Sequence, residues 1–243
     1  MSRQSGRSLP IPKVAVGFKP EFLDFQRGIR VGNLQDNERI TRILKLELES
    51  RYQQDFVTER WGRGVFWQWI GYLPRANRSA KPISGNVSFG CSKFFIMVDT
   101  DDRLFKCGIQ VERGYLNPPK EYPQCRLQSD WDWHRLVAAL KPSGSMEREL
   151  KRLVMREGFK IYAGSWETEV SDITKSNYPG ARRIRSLLQS APGDRWAGFQ
   201  AYYPFAEDEV RSMTGLDLVE SMLAVFNEVT PVMNLCMQIQ LPV

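Results

Sequence analysis

Apolar side chains recur at three- and four-residue steps at Ile40, Ile43, Leu44, Leu48, Tyr52 and Phe56. That spacing lays a single stripe along a helix, so it predicts a helix over 37–56 with Asp36 as N-cap. Glu38/Arg42 and Glu47/Arg51 then pair on the outer face. After Gly64 the period becomes two: Val65, Trp67 and Trp69 alternate with Phe66, Gln68 and Ile70. Their β-branched and aromatic character predicts a strand over 64–73. A loop rich in Pro, Arg, Asn, Ser and Lys follows over 74–85. From Asn86 the chain reads as a hairpin, with one strand through 94–98, a polar turn at Thr100-Asp101-Asp102-Arg103 and a return over 104–111. Three successive strands predict an antiparallel meander.

Asn117-Pro118-Pro119 and Pro123 mark a rigid loop that no strand can cross. Ser129-x-x-Asp132 matches a capping box before a helix to residue 140. After the break Lys141-Pro142-Ser143-Gly144, Ser145 can cap a helix over 146–157 that Gly158 ends. Strands are expected over 159–162 and 196–203, with a basic helix over 181–188 between them. Thr214-x-x-Asp217 opens a helix over 216–228, and Thr230-Pro231 reads as the cap and first residue of another. The predicted class is α+β: an antiparallel sheet of roughly five strands flanked by helices, with the C-terminal helices packing on the sheet. No repeat or low-complexity linker divides the chain, so a flexible basic tail over 1–13 precedes one domain over 14–243.

With 42% hydrophobic and 26% charged residues, the chain has the usage of an ordinary folded domain. No apolar run reaches the roughly 18 residues of a membrane span, so no membrane association is expected. The stretch 1–12 is polar and basic and lacks the apolar core of a secretory signal, which points to the cytoplasm. The glycosylation patterns at Asn77-Arg78-Ser79 and Asn86-Val87-Ser88 carry no meaning there. Net charge is +6 and the isoelectric point about 9.2, with arginine prominent, so an anionic partner is favoured.

Candidate chemistry is sparse. Cys91, Cys107, Cys125 and Cys236 show no CxxC spacing, and the chain has one histidine, so zinc-cluster and thioredoxin readings fail and no cofactor is called for. His134 has no GxSxG serine to serve, and no phosphate-binding glycine motif is complete. Asp99, Asp101 and Asp102, with Glu112, are clustered acids that could bind a hard cation, and a turn that uses its aspartates for its own backbone explains them as well.

A basic and aromatic stretch remains. Arg60, Arg63, Arg75, Arg78 and Lys81 interleave with Trp61, Trp67 and Trp69, and Arg182, Arg183 and Arg185 form a second basic run. Cations there can neutralise phosphates while aromatic faces stack on unpaired bases. The alternative places the tryptophans in the core and the arginines on a solvated rim. The leading expectation is a non-enzymatic domain that contacts nucleic acid with little sequence dependence. Two alternatives stand beside it: a metal-dependent enzyme acting on nucleic acid or nucleotides through Asp99, Asp101, Asp102 or Glu112, and an interaction subunit that forms a homo-oligomer or meets a protein partner through Met-rich C-terminal helices.

Overall fold

The computed structural model describes residues 17–83, 88–166 and 169–242; the expected tail over 1–13 and the start of the hairpin at Asn86 lie outside them. In chain order the elements are β1 (Leu23–Asp24), β2 (Gly28–Arg30), α1 (Ile40–Tyr52), β3 (Phe56–Arg63), β4 (Phe66–Pro74), α2 (Arg75–Ser79), β5 (Lys93–Asp99) and β6 (Leu104–Gly114). They continue with α3 (Asp132–Ala139), α4 (Ser145–Arg156), β7 (Lys160–Ser165), β8 (Glu169–Ile173), α5 (Ala181–Ser190), β9 (Ala197–Ala206), α6 (Glu207–Ser212) and α7 (Gly215–Cys236).

The strands build one antiparallel sheet in the order β1-β2-β4-β5-β6-β9-β7-β8, with β3 on the remaining edge of β4. The class is α+β as expected, but the sheet has nine strands among the described residues rather than about five. β1 and β2 are two and three residues long, too short to show a period. β3 was hidden by Phe56, which continues the helical spacing from Tyr52. The chain instead leaves α1 at Gln53, whose φ of 50° is left-handed, and Phe56 reaches the same core from a strand. There its ring lies 6.1 Å from Tyr52 and 6.3 Å from Phe94.

Alternation along the strands gives the sheet two chemically different faces. Ile70, Tyr72, Phe94, Ile96, Cys107, Ile109, Phe199, Ala201, Ile161 and Ala163 point into one continuous apolar core. α1, α3, α4, α5 and α7 cover that face with Leu44, Leu136, Leu150, Ile184 and Phe226 among others. α7 lies against β6, where the Cys107 thiol donates to the Met222 carbonyl, and Phe226 packs 4.7 Å from Phe94. The positions between these core residues, Lys93, Lys106, Gln110, Glu112, Gln200, Tyr162 and Tyr202, face away from the helices.

Capping followed the sequence unevenly. Thr214 and Asp217 form the expected reciprocal box. α1, α3 and α4 start after Arg39, Trp131 and Gly144, none of which caps through its side chain. Asp132 is instead buried, where it accepts from the Ser92 amide at 2.7 Å and Asn77 at 2.8 Å and pairs with Lys81 at 2.7 Å. α7 also runs through the expected break at Thr230-Pro231. The Thr230 hydroxyl donates to the Phe226 carbonyl at 2.7 Å and meets the Tyr52 hydroxyl at 2.6 Å, while Val232, Met233 and Cys236 keep the apolar face buried beyond the proline.

Thr230→Val keeps the side-chain shape and leaves the buried Tyr52 hydroxyl without its partner. The expected loss is about 1–3 kcal/mol in urea unfolding. An unchanged midpoint would show that Tyr52 does not depend on Thr230.

Candidate anion-binding groove

Between Trp61 and Gly62 the β3–β4 register slips: Trp61 pairs with Trp69 and Gly62 with Trp67, so Gln68 stands unmatched. Such a bulge breaks the alternation and re-aims the side chains beyond it. Trp67 and Trp69, two apart, therefore belong to opposite faces. Trp67 packs toward the core and lines a groove beside α1, whereas Trp69 donates its indole N–H to Gln110 at 3.1 Å on the helix-free face.

The groove beside Trp67 is open, about 720 Å³, and lined by Arg39, Thr41, Arg42, Lys45, Leu46, Thr58, Arg60 and Trp67. Arg39, Arg42 and Lys45 recur every third residue and so share one side of α1 and the residue before it. Thr58 and Arg60 come from the helix-facing positions of β3, opposite Tyr72 and Ile70. Arg60 places its guanidinium 4.2 Å from the Trp67 ring and has no carboxylate partner among the described residues. Arg39 and Arg42 share Asp36 at 3.7 and 3.0 Å, and Lys45 meets Glu49 at 3.6 Å. Four cations thus meet two acids, and the groove keeps a positive excess.

The other residues named from the sequence go elsewhere. Trp61 is 66% exposed on the edge strand, on the face of Trp69. Arg63 is exposed beside it, and Arg75 pairs with Asp55 at 3.4 Å. Arg78 is half-buried, close enough to Glu59 to lower the pKa of that acid. Lys81 is buried against Asp132 and so is removed from any surface. Arg182, Arg183 and Arg185 lie on α5, which packs on β7 and β9. From β4 to β7 is four strand spacings, roughly 19 Å, so this run does not join the groove.

The four acids named from the sequence are not gathered in one place. Asp99 accepts the amides of Asp101 and Asp102 at 3.1 Å each and the Lys106 ammonium at 2.6 Å, which makes it the organiser of its own turn. Glu112 lies eight residues along β6 from Leu104, about 26 Å from the turn. No three metal-binding side chains converge among the described residues. The cysteines are free and buried, and burial pushes the Cys91 thiol up to about 12, far from a reactive thiolate. His134 is exposed, with Nε2 3.0 Å from the Gln128 carbonyl. Of the methionines in the C-terminal segment, Met222, Met233 and Met237 are buried in this chain's own core and Met213 is partly buried against it.

The helix-free face is polar yet mostly buried. Lys93 is fully buried between Glu112 at 2.5 Å and Glu59 at 2.9 Å. Trp69 lies across Gly71, where any Cβ would strike its ring, and Gln200 donates to Gln110 at 2.7 Å. Burial opposes the charge on Lys93, but the two glutamates hold its ammonium well above the ordinary range. Burial also pushes at Glu59, which Lys93 nevertheless draws below the ordinary value, whereas for Glu112 burial prevails and its pKa is raised. Near this face Glu59, Glu112, Asp99, Asp102 and Asp172 are matched by Lys93, Lys106, Lys160, Arg63 and Arg78. The excess of positive charge thus lies on the groove side.

The groove cations stand in the sequence as Arg39-x-x-Arg42-x-x-Lys45, each with an acid at helical spacing. Their convergence on Arg60 depends on the β3 pairing, which the sequence did not reveal.

Lys93→Met should cost about 3–5 kcal/mol, because it leaves the buried Glu112 facing the partly buried Glu59 with no cation between them. Both pKa values would then be raised, so the variant should recover stability as pH falls and lose it as pH rises through them. Urea unfolding at several pH values tests this; a loss independent of pH contradicts it. The chain matches no protein-family model, and no curated protein or solved structure is significantly similar to it.

Proposed function

We propose that this protein is a non-enzymatic binding domain that holds the phosphate backbone of nucleic acid in the groove between α1 and β3. The observation that carries the reading is the convergence of Arg39, Arg42, Lys45 and Arg60 on one open groove. Successive cations on α1 are about 4.5 Å apart along the helix axis, the same order as the 3.4 Å advance of phosphates along one strand of a duplex. Arginine forks and the Thr41 and Thr58 hydroxyls offer donors suited to phosphate oxygens.

Base stacking is a smaller part of this reading than the sequence implied. Trp67 has one side toward the core and the other under Arg60, while Trp69 is hydrogen-bonded to Gln110 on the opposite face. Backbone contact without base contact makes binding largely independent of sequence.

Three to four phosphate contacts predict a log–log salt slope of about −3, or roughly a 60-fold loss of affinity between 50 and 200 mM salt. Arg42→Ala and Arg60→Ala should each flatten the slope by about 1. Alanine at Arg182, Arg183 and Arg185 together should leave binding of a short oligonucleotide unchanged. Fluorescence anisotropy measures all three, and affinity that is indifferent to salt or to the Arg42 and Arg60 substitutions overturns the proposal.

A further inference from the structure

Asp36 has no structural duty in a place where its neighbouring acids do. Glu49 accepts the Phe56 amide at 3.0 Å and ties α1 to β3. Glu38 accepts the Gln35 amide at 2.9 Å and closes the turn before α1. Asp36 does not cap α1, whose N-cap is Arg39. Among the described residues its carboxylate meets only the Arg42 and Arg39 guanidinium groups, at 3.0 and 3.7 Å. The turn itself is fixed: Arg39 donates to the Leu34 carbonyl at 2.9 Å, and the Glu38 amide to the Gln35 carbonyl at 3.0 Å. One oxyanion is thus held at the end of the groove, across two arginines that the groove reading assigns to phosphate.

We infer that Arg39 and Arg42 form a phosphate seat that Asp36 occupies in the free protein and vacates when a polyanion binds. This rests on the groove reading and adds the ligand class and its regulation. A phosphate entering the seat gains only its advantage over the carboxylate it displaces. An isolated phosphate therefore competes poorly, while a chain of phosphates that also reaches Lys45 and Arg60 prevails. The Asp36 pair is solvent-exposed, with side-chain exposures of 55% for Arg42 and 58% for Asp36, so displacing it costs little.

The test titrates a short oligothymidylate into the wild type, Asp36→Asn and Glu121→Gln at low salt. Glu121 is exposed, lies outside the groove and removes the same charge. Asp36→Asn should bind two- to fivefold tighter with unchanged unfolding stability, and Glu121→Gln should bind as the wild type does. Equal tightening in both variants would assign the effect to net charge, and no tightening in Asp36→Asn would leave the seat unoccupied by Asp36; either result overturns the inference while the groove stands. If the wild type and both variants fail to bind at low salt, the groove reading fails and this inference with it.

Discussion

A side chain on a strand has two destinations, and the register of β3 against β4 decides which tryptophan takes which. The unmatched Gln68 sends Trp67 to the α1 side and Trp69 to the other. Without that slip the two indoles would share a face, and the groove would lose the aromatic wall on which Arg60 rests. The same alternation, kept in β5, β6, β9 and β7, separates an apolar helix-covered face from a polar one.

Charge follows that division. On the polar face the buried lysines are committed: Lys93 to Glu59 and Glu112, Lys106 to Asp99. Burying such groups costs several kcal/mol per ion unless they are paired, so these groups satisfy one another and leave little to offer a ligand. On the α1 side the pairs are exposed and weak, and Arg60 has no acid at all among the described residues. On the proposed reading, weak pairing is what permits exchange for an external anion. The two networks use the same residue types, and what separates them is burial.

Much of the fold was legible in the sequence. Long periodic segments gave α1, the β4-β5-β6 meander, α4, α5 and β9 nearly in place, and the Thr214–Asp217 box stands as read. What failed was punctuation. Phe56 prolonged a helical period that the left-handed Gln53 interrupts, and Thr230-Pro231 looked like a start because proline suits a first turn. Of the candidate site, Arg60 and Trp67 were found as members of a basic and aromatic stretch. Arg39, Arg42 and Lys45 were missed because their partnership with Arg60 spans the chain reversal between α1 and β3. Lys81 looked like a surface cation, since nothing local announces that Asp132 waits for it in the interior.

The most direct test of the groove is residue-resolved: an amide and indole NMR titration of the protein with a short single-stranded oligonucleotide at low salt. The account predicts shifts concentrated over 39–46 and 58–60 and at the Trp67 indole N–H, with the Trp69 indole and the α5 amides still. Shifts centred on Trp69 or on 181–190, with 39–46 silent, would contradict it.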